Sequence, residues 1–322
     1  MTNFDRKFNV EAVEKALGEN TAESVWLRDL LVHWRPAGEL QGGGEKSPQS
    51  DEDYLRLAIR DGYLNFYRYG QSVARVKVVK GKLQAEVHNK YVYGDQGSGQ
   101  DYVKITDGTY KNYDGARLAF RYGLVHDWIQ KAEGHAGKEK RFVDDVVARN
   151  ADVIDLEVGL PADPGLWSEK SAPRMDLAAI EPCGDHYKLV FWEAKLVTNP
   201  EARCKDAATA PEVTRQLEKY EKWIAKNRKL VCGAYQRCCK DLVRLYGIAK
   251  RLDKGKPELG KAIIAVEQEA APLCVDSTPR LIIDATEGEV AFEKGHLKKL
   301  HDLGICVRMV RTPDDMLMSV GA

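Results

Sequence analysis

Hydrophobic residues follow three rhythms along this chain. From Leu64 to Val92 they alternate with polar residues, and Gly70 and Gly81 punctuate the alternation, which predicts a three-stranded meander over 64–69, 73–79 and 83–88. Two nearly unbroken apolar runs, Arg174 to Ile180 and Tyr187 to Leu196, read as buried strands, and shorter runs at 153–158, 261–266, 280–283 and 305–310 read as further strands. Helical spacing predicts two amphipathic helices within 10–35, ending at Arg35-Pro36, and further helices over 110–131, 139–150, 212–227 and around Phe292 to Leu303. Gly38 to Ser50 reads as a linker. Its Gly42 to Ser47 stretch is faintly like a phosphate loop, but Glu45 stands before the lysine where glycine is needed, and a carboxylate there repels phosphate.

Charge interrupts the two long apolar runs at one depth. They are joined by Glu181-Pro182-Cys183-Gly184-Asp185-His186, and a two-residue turn at Gly184-Asp185 sets Asp176 across from Glu193, with Cβ atoms roughly 5 Å apart. Lys195, two residues on, shares that face. Two carboxylates so close repel each other unless a cation lies between them. Magnesium fits, because it takes one or two carboxylates, keeps several waters and uses phosphate oxygens for the rest. Lys195 would orient or deprotonate an attacking water, or neutralise charge growing on phosphate oxygens. The plainer reading makes Asp176 a turn-proximal polar residue and Glu193 with Lys195 a surface ion pair.

Downstream, the 212–227 segment, opened by Pro211, has Val213, Leu217 and Ile224 on one face and Arg215, Lys219, Lys222 and Lys226 in a basic stripe. Gln216, Tyr220 and Trp223 lie on the border between the two.

In this order and spacing the motifs resemble the PD-(D/E)xK, or restriction-endonuclease-like, nuclease superfamily, and its RecB-like branch with a Gln-x-x-x-Tyr helix. The matching pieces are the helix Glu139 to Asn150, the strand Val153 to Val158, Met175-Asp176-Leu177, Glu193-Ala194-Lys195 and Gln216 to Tyr220, followed by the strand expected at 261–266. Arg174-Met175 stand where the superfamily's proline would be. The resemblance implies an α/β (α+β) fold, a restriction-endonuclease-like core with a central mixed sheet flanked by helices. It implies that Asp176 and Glu193 hold Mg (or Mn), that Glu139 supports the metal, that Lys195 acts on the nucleophile, and that Gln216 and Tyr220 position substrate. Asp144 and Asp145 compete with Glu139 for its role, and Asp155 and Glu157 on the preceding strand also come within reach of the site. The implied substrate is nucleic acid, DNA ahead of RNA, in a defence, restriction or repair setting, and the assembly is a homodimer or a larger defence complex. The contrasting class is a silent relative of the same fold that binds nucleic acid or protein without cleaving.

The chain is long enough for two domains at 322 residues, and the reading divides it into an accessory or substrate-contacting region of helices and β-meander, 1–112, and a nuclease-like domain, 113–322, with a β-α-β extension. Its 49 basic and 49 acidic residues cancel, so nucleic-acid binding has to come from local patches. The helix stripe is one. Arg237, Lys240, Arg244, Lys250, Arg251, Lys254 and Lys256 form another. Seven cysteines show no C-x-x-C zinc pattern, and Cys232, Cys238 and Cys239 lack the upstream partner an iron–sulfur site would need, so reduced thiols of a cytoplasmic protein are expected. Runs near ~18 apolar residues are absent, which predicts no membrane span. His88, His135, His186 and His296 are scattered without metal-ligand spacing.

Overall fold

The computed structural model describes residues 4–40, 53–94, 101–163, 165–167, 173–206, 209–287 and 292–318. Most of the expected linker, including Gly42 to Ser47, lies outside the described residues.

The first part of the chain runs α1 (Val10–Gly18), α2 (Ser24–His33), β1 (Arg56–Arg60), β2 (Tyr63–Arg68), β3 (Gln71–Val79), β4 (Lys82–His88), α3 (Asn89–Tyr93) and β5 (Tyr102–Ile105). The three expected strands are β2, β3 and β4, and they form the middle of a five-stranded antiparallel sheet in chain order β1 to β5. Alternation decides what each face does. Leu57, Ile59, Leu64, Phe66, Val76, Ala85, Val87 and Ile105 enter a core with Trp26 and Leu30 of α2. The opposite face carries Asn65, Arg75 and Glu86 in one cross-strand row, with His88 opposite Tyr102 beside it.

The helix expected over 110–131 is not formed as such. A hairpin, β6 (Thr109–Lys111) with β7 (Arg117–Ala119), takes its first half, and α4 (Leu124–Glu133) begins only after it. Gly115 and Gly123, at φ 85° and 94°, explain the break, since a left-handed backbone cannot continue a right-handed helix. The boundary expected after residue 112 therefore falls inside this hairpin.

The second part runs α5 (Lys138–Arg149), β8 (Val153–Gly159), β9 (Arg174–Cys183), β10 (His186–Leu196), α6 (Glu212–Leu252), α7 (Lys261–Glu267), β11 (Leu273–Val275), β12 (Arg280–Asp284), a π-helical turn Phe292–Leu297 leading into α8 (Lys298–Asp302), and β13 (Val307–Val310). A mixed sheet in the order β13-β12-β10-β9-β8 forms the centre, with β11 beside the start of β10. β8, β9 and β10 pair antiparallel, whereas β12 and β13 join parallel. Gly184 turns the β9–β10 hairpin at φ 61°, and the pairing runs from Cys183–His186 to Leu177–Trp192, the register expected from that turn.

The strand expected at 261–266 is a helix, α7. Its β-branched residues suggested a strand, but Ala262, Ile263 and Val266 bury at helical spacing, and the Asp152 carboxylate accepts from the Ala262 and Ile263 N–H groups at the open first turn. The strand that follows α6 beside the full length of the site end of β10 is β12, which pairs parallel with it from Trp192–Arg280 to Leu196–Asp284.

Helices cover both faces of the central sheet. Phe142, Val143, Val146 and Val147 of α5 pack on Leu177, Ala179, Trp192 and Ala194. Val213, Leu217 and Ile224 of α6 pack in the cluster that holds Ile180, Leu189 and Phe191. Trp223, expected at the border of that helix, is fully buried as well. α6 is far longer than 212–227, but Asn227, at φ −110° and ψ 16°, departs from helical geometry where the expected helix ended.

Buried charge joins the two parts. Asp155, on β8, accepts from Arg6 Nε at 2.8 Å, Arg60 Nη1 at 2.5 Å and the Tyr235 hydroxyl at 2.8 Å. Asp144, on α5, accepts from Arg56 Nε at 3.1 Å and from the Tyr54 hydroxyl. Among the described residues no helix is long and apolar enough to cross a membrane.

Candidate active site

The hairpin β9–β10 builds the site from the centre outward. Beyond the Leu177–Trp192 pair, where the pairing ends, Asp176 Oδ2 accepts from the Ala194 N–H at 2.9 Å, which fixes the carboxylate against the neighbouring strand beside Glu193. Odd-numbered residues of β10 face α6, since Leu189 and Phe191 pack in its cluster. Glu193 and Lys195 therefore point to that helix. Gln216, in its second turn, donates from Nε2 to Glu193 Oε1 at 3.0 Å and to the Tyr220 hydroxyl at 2.5 Å, and Tyr220 donates to the Arg174 carbonyl at 2.6 Å. Helical i,i+4 spacing brings Gln216 and Tyr220 together. Tyr220, expected on the border of the helix's apolar face, is buried instead, where its hydroxyl bonds both neighbours.

Lys195 Nζ donates to Glu193 Oε1 at 2.9 Å and lies 3.1 Å from Glu201 Oε2 and 4.0 Å from Glu139 Oε1. Glu139 thus reaches the site, held by the Asn199 side-chain amide at 2.8 Å from its Oε2. Of the alternatives on its helix, Asp144 is occupied by Tyr54 and Arg56. On β8, Asp155 is occupied by Arg6 and Arg60, whereas Glu157 does reach the site.

Glu157 arrives through a residue that sequence reasoning missed. Lys140 Nζ donates to Glu157 Oε1 at 2.5 Å and to Asp176 Oδ1 at 2.8 Å, bridging β8 and β9 from the first turn of α5. The run Lys138-Glu139-Lys140-Arg141 reads as a solvated helix start, and only the position directly after Glu139 hinted at it. Glu157 itself has φ 51°, a left-handed conformation uncommon outside glycine, and Gly159 follows two residues on. The twist changes faces: Leu156 packs with α5 and Val158 with the α6 side, although a regular strand would send both the same way. Glu201 and Asn199, in the short 3₁₀ turn after β10, were also missed.

Electrostatics follow from burial. Burial first, and the neighbouring Asp176 second, push the Glu193 carboxyl up to about 8, against the pull of Lys195. Its Oε2 is buried with no hydrogen-bond partner. Burial disfavours the Lys195 ammonium, but Glu193, Glu139 and Asp176 outweigh it and hold its pKa above the ordinary lysine value. Lys140 likewise stays charged, because Asp176 and Glu157 outweigh its burial.

The basic patches fare differently. Arg215 and Lys222 of the helix stripe are exposed, while Lys226 pairs with Asp163 at 2.8 Å. The stretch 237–256, expected to attract nucleic acid, is largely compensated: Arg237 pairs with Asp5, Lys240 with Glu269, Arg244 with Glu14 and Lys250 with Glu258, and Lys256 is buried on the Val32 and Trp34 carbonyls. Cys238 and Cys239 are buried in the core beneath it.

Among the described residues no group of three or more His, Cys, Asp or Glu side chains is arranged to hold a metal by itself. A hard divalent ion needs less, since one or two carboxylates suffice when water and phosphate complete the shell. The unpartnered, buried Glu193 Oε2 beside Asp176 fits that demand. No protein-family model, curated protein or solved structure matches the chain.

Proposed function

We propose that this protein is a metal-dependent nuclease that hydrolyses phosphodiester bonds of DNA, with a restriction-endonuclease-like core and a RecB-like Gln-x-x-x-Tyr helix. The observation that carries the reading is the buried Glu193 carboxylate, with one oxygen bonded by Gln216 and Lys195 and the other left without a partner next to Asp176. A protein has little reason to hold such a group unless a ligand satisfies it. Asp176 and Glu193 would hold Mg or Mn, with Glu139 close enough to assist through water. When bound, the ion supplies a water of lowered pKa and polarises the phosphate.

The chain's own residues do the rest. Lys195 stays protonated, so it acts as a fixed positive charge on the phosphate oxygens and not as the general base. Gln216 aims Glu193, and Tyr220 anchors Gln216 to the β9 backbone at Arg174. Incubation of linear and circular DNA, and of RNA, with Mg or Mn against EDTA tests the proposal. Cleavage that needs the ion is expected, and full cleavage in chelator overturns it.

Lys140 already neutralises Asp176 and Glu157, which favours a second reading: a fold retained to bind nucleic acid or protein without cutting. Under that reading Mg and Mn leave every substrate intact while binding persists.

A further inference from the structure

A cleft of about 870 Å³ separates the two parts of the molecule. One end reaches Lys140, which touches Asp176, with Glu157, the other partner of Lys140, and Arg174 at the start of the strand that carries Asp176. The other wall is the polar face of the first sheet, with Tyr63, Asn65, Arg75, His88 and Tyr102. Most charge in the cleft is spent. Arg60 and Arg6 serve Asp155, and Asp5 serves Arg237 and Lys7.

Two cations are left over. Arg75 has a buried Nε without a hydrogen-bond partner, and its guanidinium lies over the Tyr102 ring at 4.7 Å. Lys90 Nζ lies 4.8 Å from the centroid of the Tyr91 ring. Among the described residues neither has a carboxylate partner. Beside them the half-buried rings of Tyr63 and Tyr102 open on the cleft, the His88 ring edge-on to Tyr102 at 5.4 Å. Uncompensated cations alternating with aromatic rings suit an anionic chain with flat bases. In a duplex the base faces are stacked away, so only a single strand can use those rings. The volume also holds a few nucleotides and no double helix.

We propose that the polar face of the first sheet binds one unpaired nucleic-acid strand, with phosphates on Arg75 and Lys90 and bases on Tyr63 and Tyr102, and leads it past Lys140 to Asp176 and Glu193. The proposal rests on the nuclease reading for what happens at the end of that path.

Fluorescence anisotropy of the full chain in EDTA, with a short labelled strand as DNA or RNA and with the same sequence as duplex, tests it. The single strand should bind at least about tenfold tighter than the duplex. Arg75→Gln with Lys90→Gln should weaken it about tenfold and lower the salt slope by about 1.4, two phosphate contacts at ~0.7 each. Tyr102→Leu should cost about fivefold or more with little change in slope. Should the double variant unfold, as judged by its melting curve, Lys90→Gln and Tyr102→Leu carry the test separately. Unchanged binding by these variants, or duplex bound as tightly as single strand, overturns the proposal. Comparison of the DNA and RNA arms says which sugar the face accepts. Metal-dependent cleavage with unchanged binding by the variants would remove the strand path and keep the nuclease; strand binding lost in the variants, with no cleavage in any metal, would do the reverse.

Discussion

The two sheets handle polar residues in opposite ways. The first buries one face against α2, and its other face is covered by the second part at Ala58 and Tyr67 but opens on the cleft at Tyr63, Arg75 and His88. The central sheet is covered on both faces, and at one end it forces Asp176, Glu193 and Lys195 into the interior, each less than a tenth exposed. Charge lining an open cleft is cheap and adjustable, whereas charge in the closed interior is strengthened by low dielectric and costly to misplace. Holding a substrate suits the first environment, and chemistry the second.

The sharpest way to break the comparison is at the closed end. Asp176→Asn and Glu193→Gln are each expected to lower cleavage by on the order of 10³-fold or more while leaving the fold intact, measured as kcat/KM beside a melting curve. Near-normal rates in either variant would remove that residue from the metal. Lys195→Ala should cost on the order of 10²-fold in kcat with metal affinity kept, because it removes a transition-state charge and not a ligand.

A comparable loss, in stability instead of rate, is expected where the two sheets meet. Asp155→Ala leaves Arg6 and Arg60 buried without their shared carboxylate, which should cost about 3–5 kcal/mol in denaturant unfolding. A loss below ~1 kcal/mol would show that the two parts are not joined through it.

Smaller effects come from protonation. Without metal, Glu193 holds its proton in the folded state up to about 8 but only to the ordinary glutamate value when unfolded. Between those values the folded state binds more protons, so its contribution to stability is full below about 4.5 and is lost as pH rises toward 8. Melting temperature against pH should slope downward there in EDTA, and Glu193→Gln should flatten it. The smallest effect belongs to the helix stripe: Lys219→Gln with Lys222→Gln should weaken nucleic-acid binding a fewfold and flatten its salt dependence, with kcat retained.

How much of this was legible varied with locality. The β9–β10 register followed from one turn, because Gly184 fixes the pairing and alternation does the rest. The border position of Gln216 followed from helical spacing once Val213, Leu217 and Ile224 defined the buried face, whereas Tyr220, placed there by the same spacing, is buried. Long-range partners stayed hidden. β1 is five residues bounded by Arg56 and Arg60, and those arginines are tolerated inside only because Asp144 and Asp155 wait in the second part. The 261–266 segment shows the same lesson reversed, since Asp152, more than a hundred residues earlier, caps as a helix what β-branching suggested as a strand. Lys140 was invisible because its meaning lies in Glu157 and Asp176, neither of them near it in sequence.

Lys140 also changes what the metal-free protein is. Its ammonium is a counter-ion tethered to the fold, so the Asp176 and Glu157 carboxylates are neutralised before any free ion arrives. Chelation should therefore leave a dormant molecule and not a denatured one. On the nuclease reading, circular dichroism in EDTA is expected to match that in Mg, with cleavage restored on adding the ion back, and an incoming ion would have to displace a resident that never diffuses away. Loss of that resident in Lys140→Gln should raise apparent metal affinity while making the empty protein less stable, two shifts of opposite sign from one side chain.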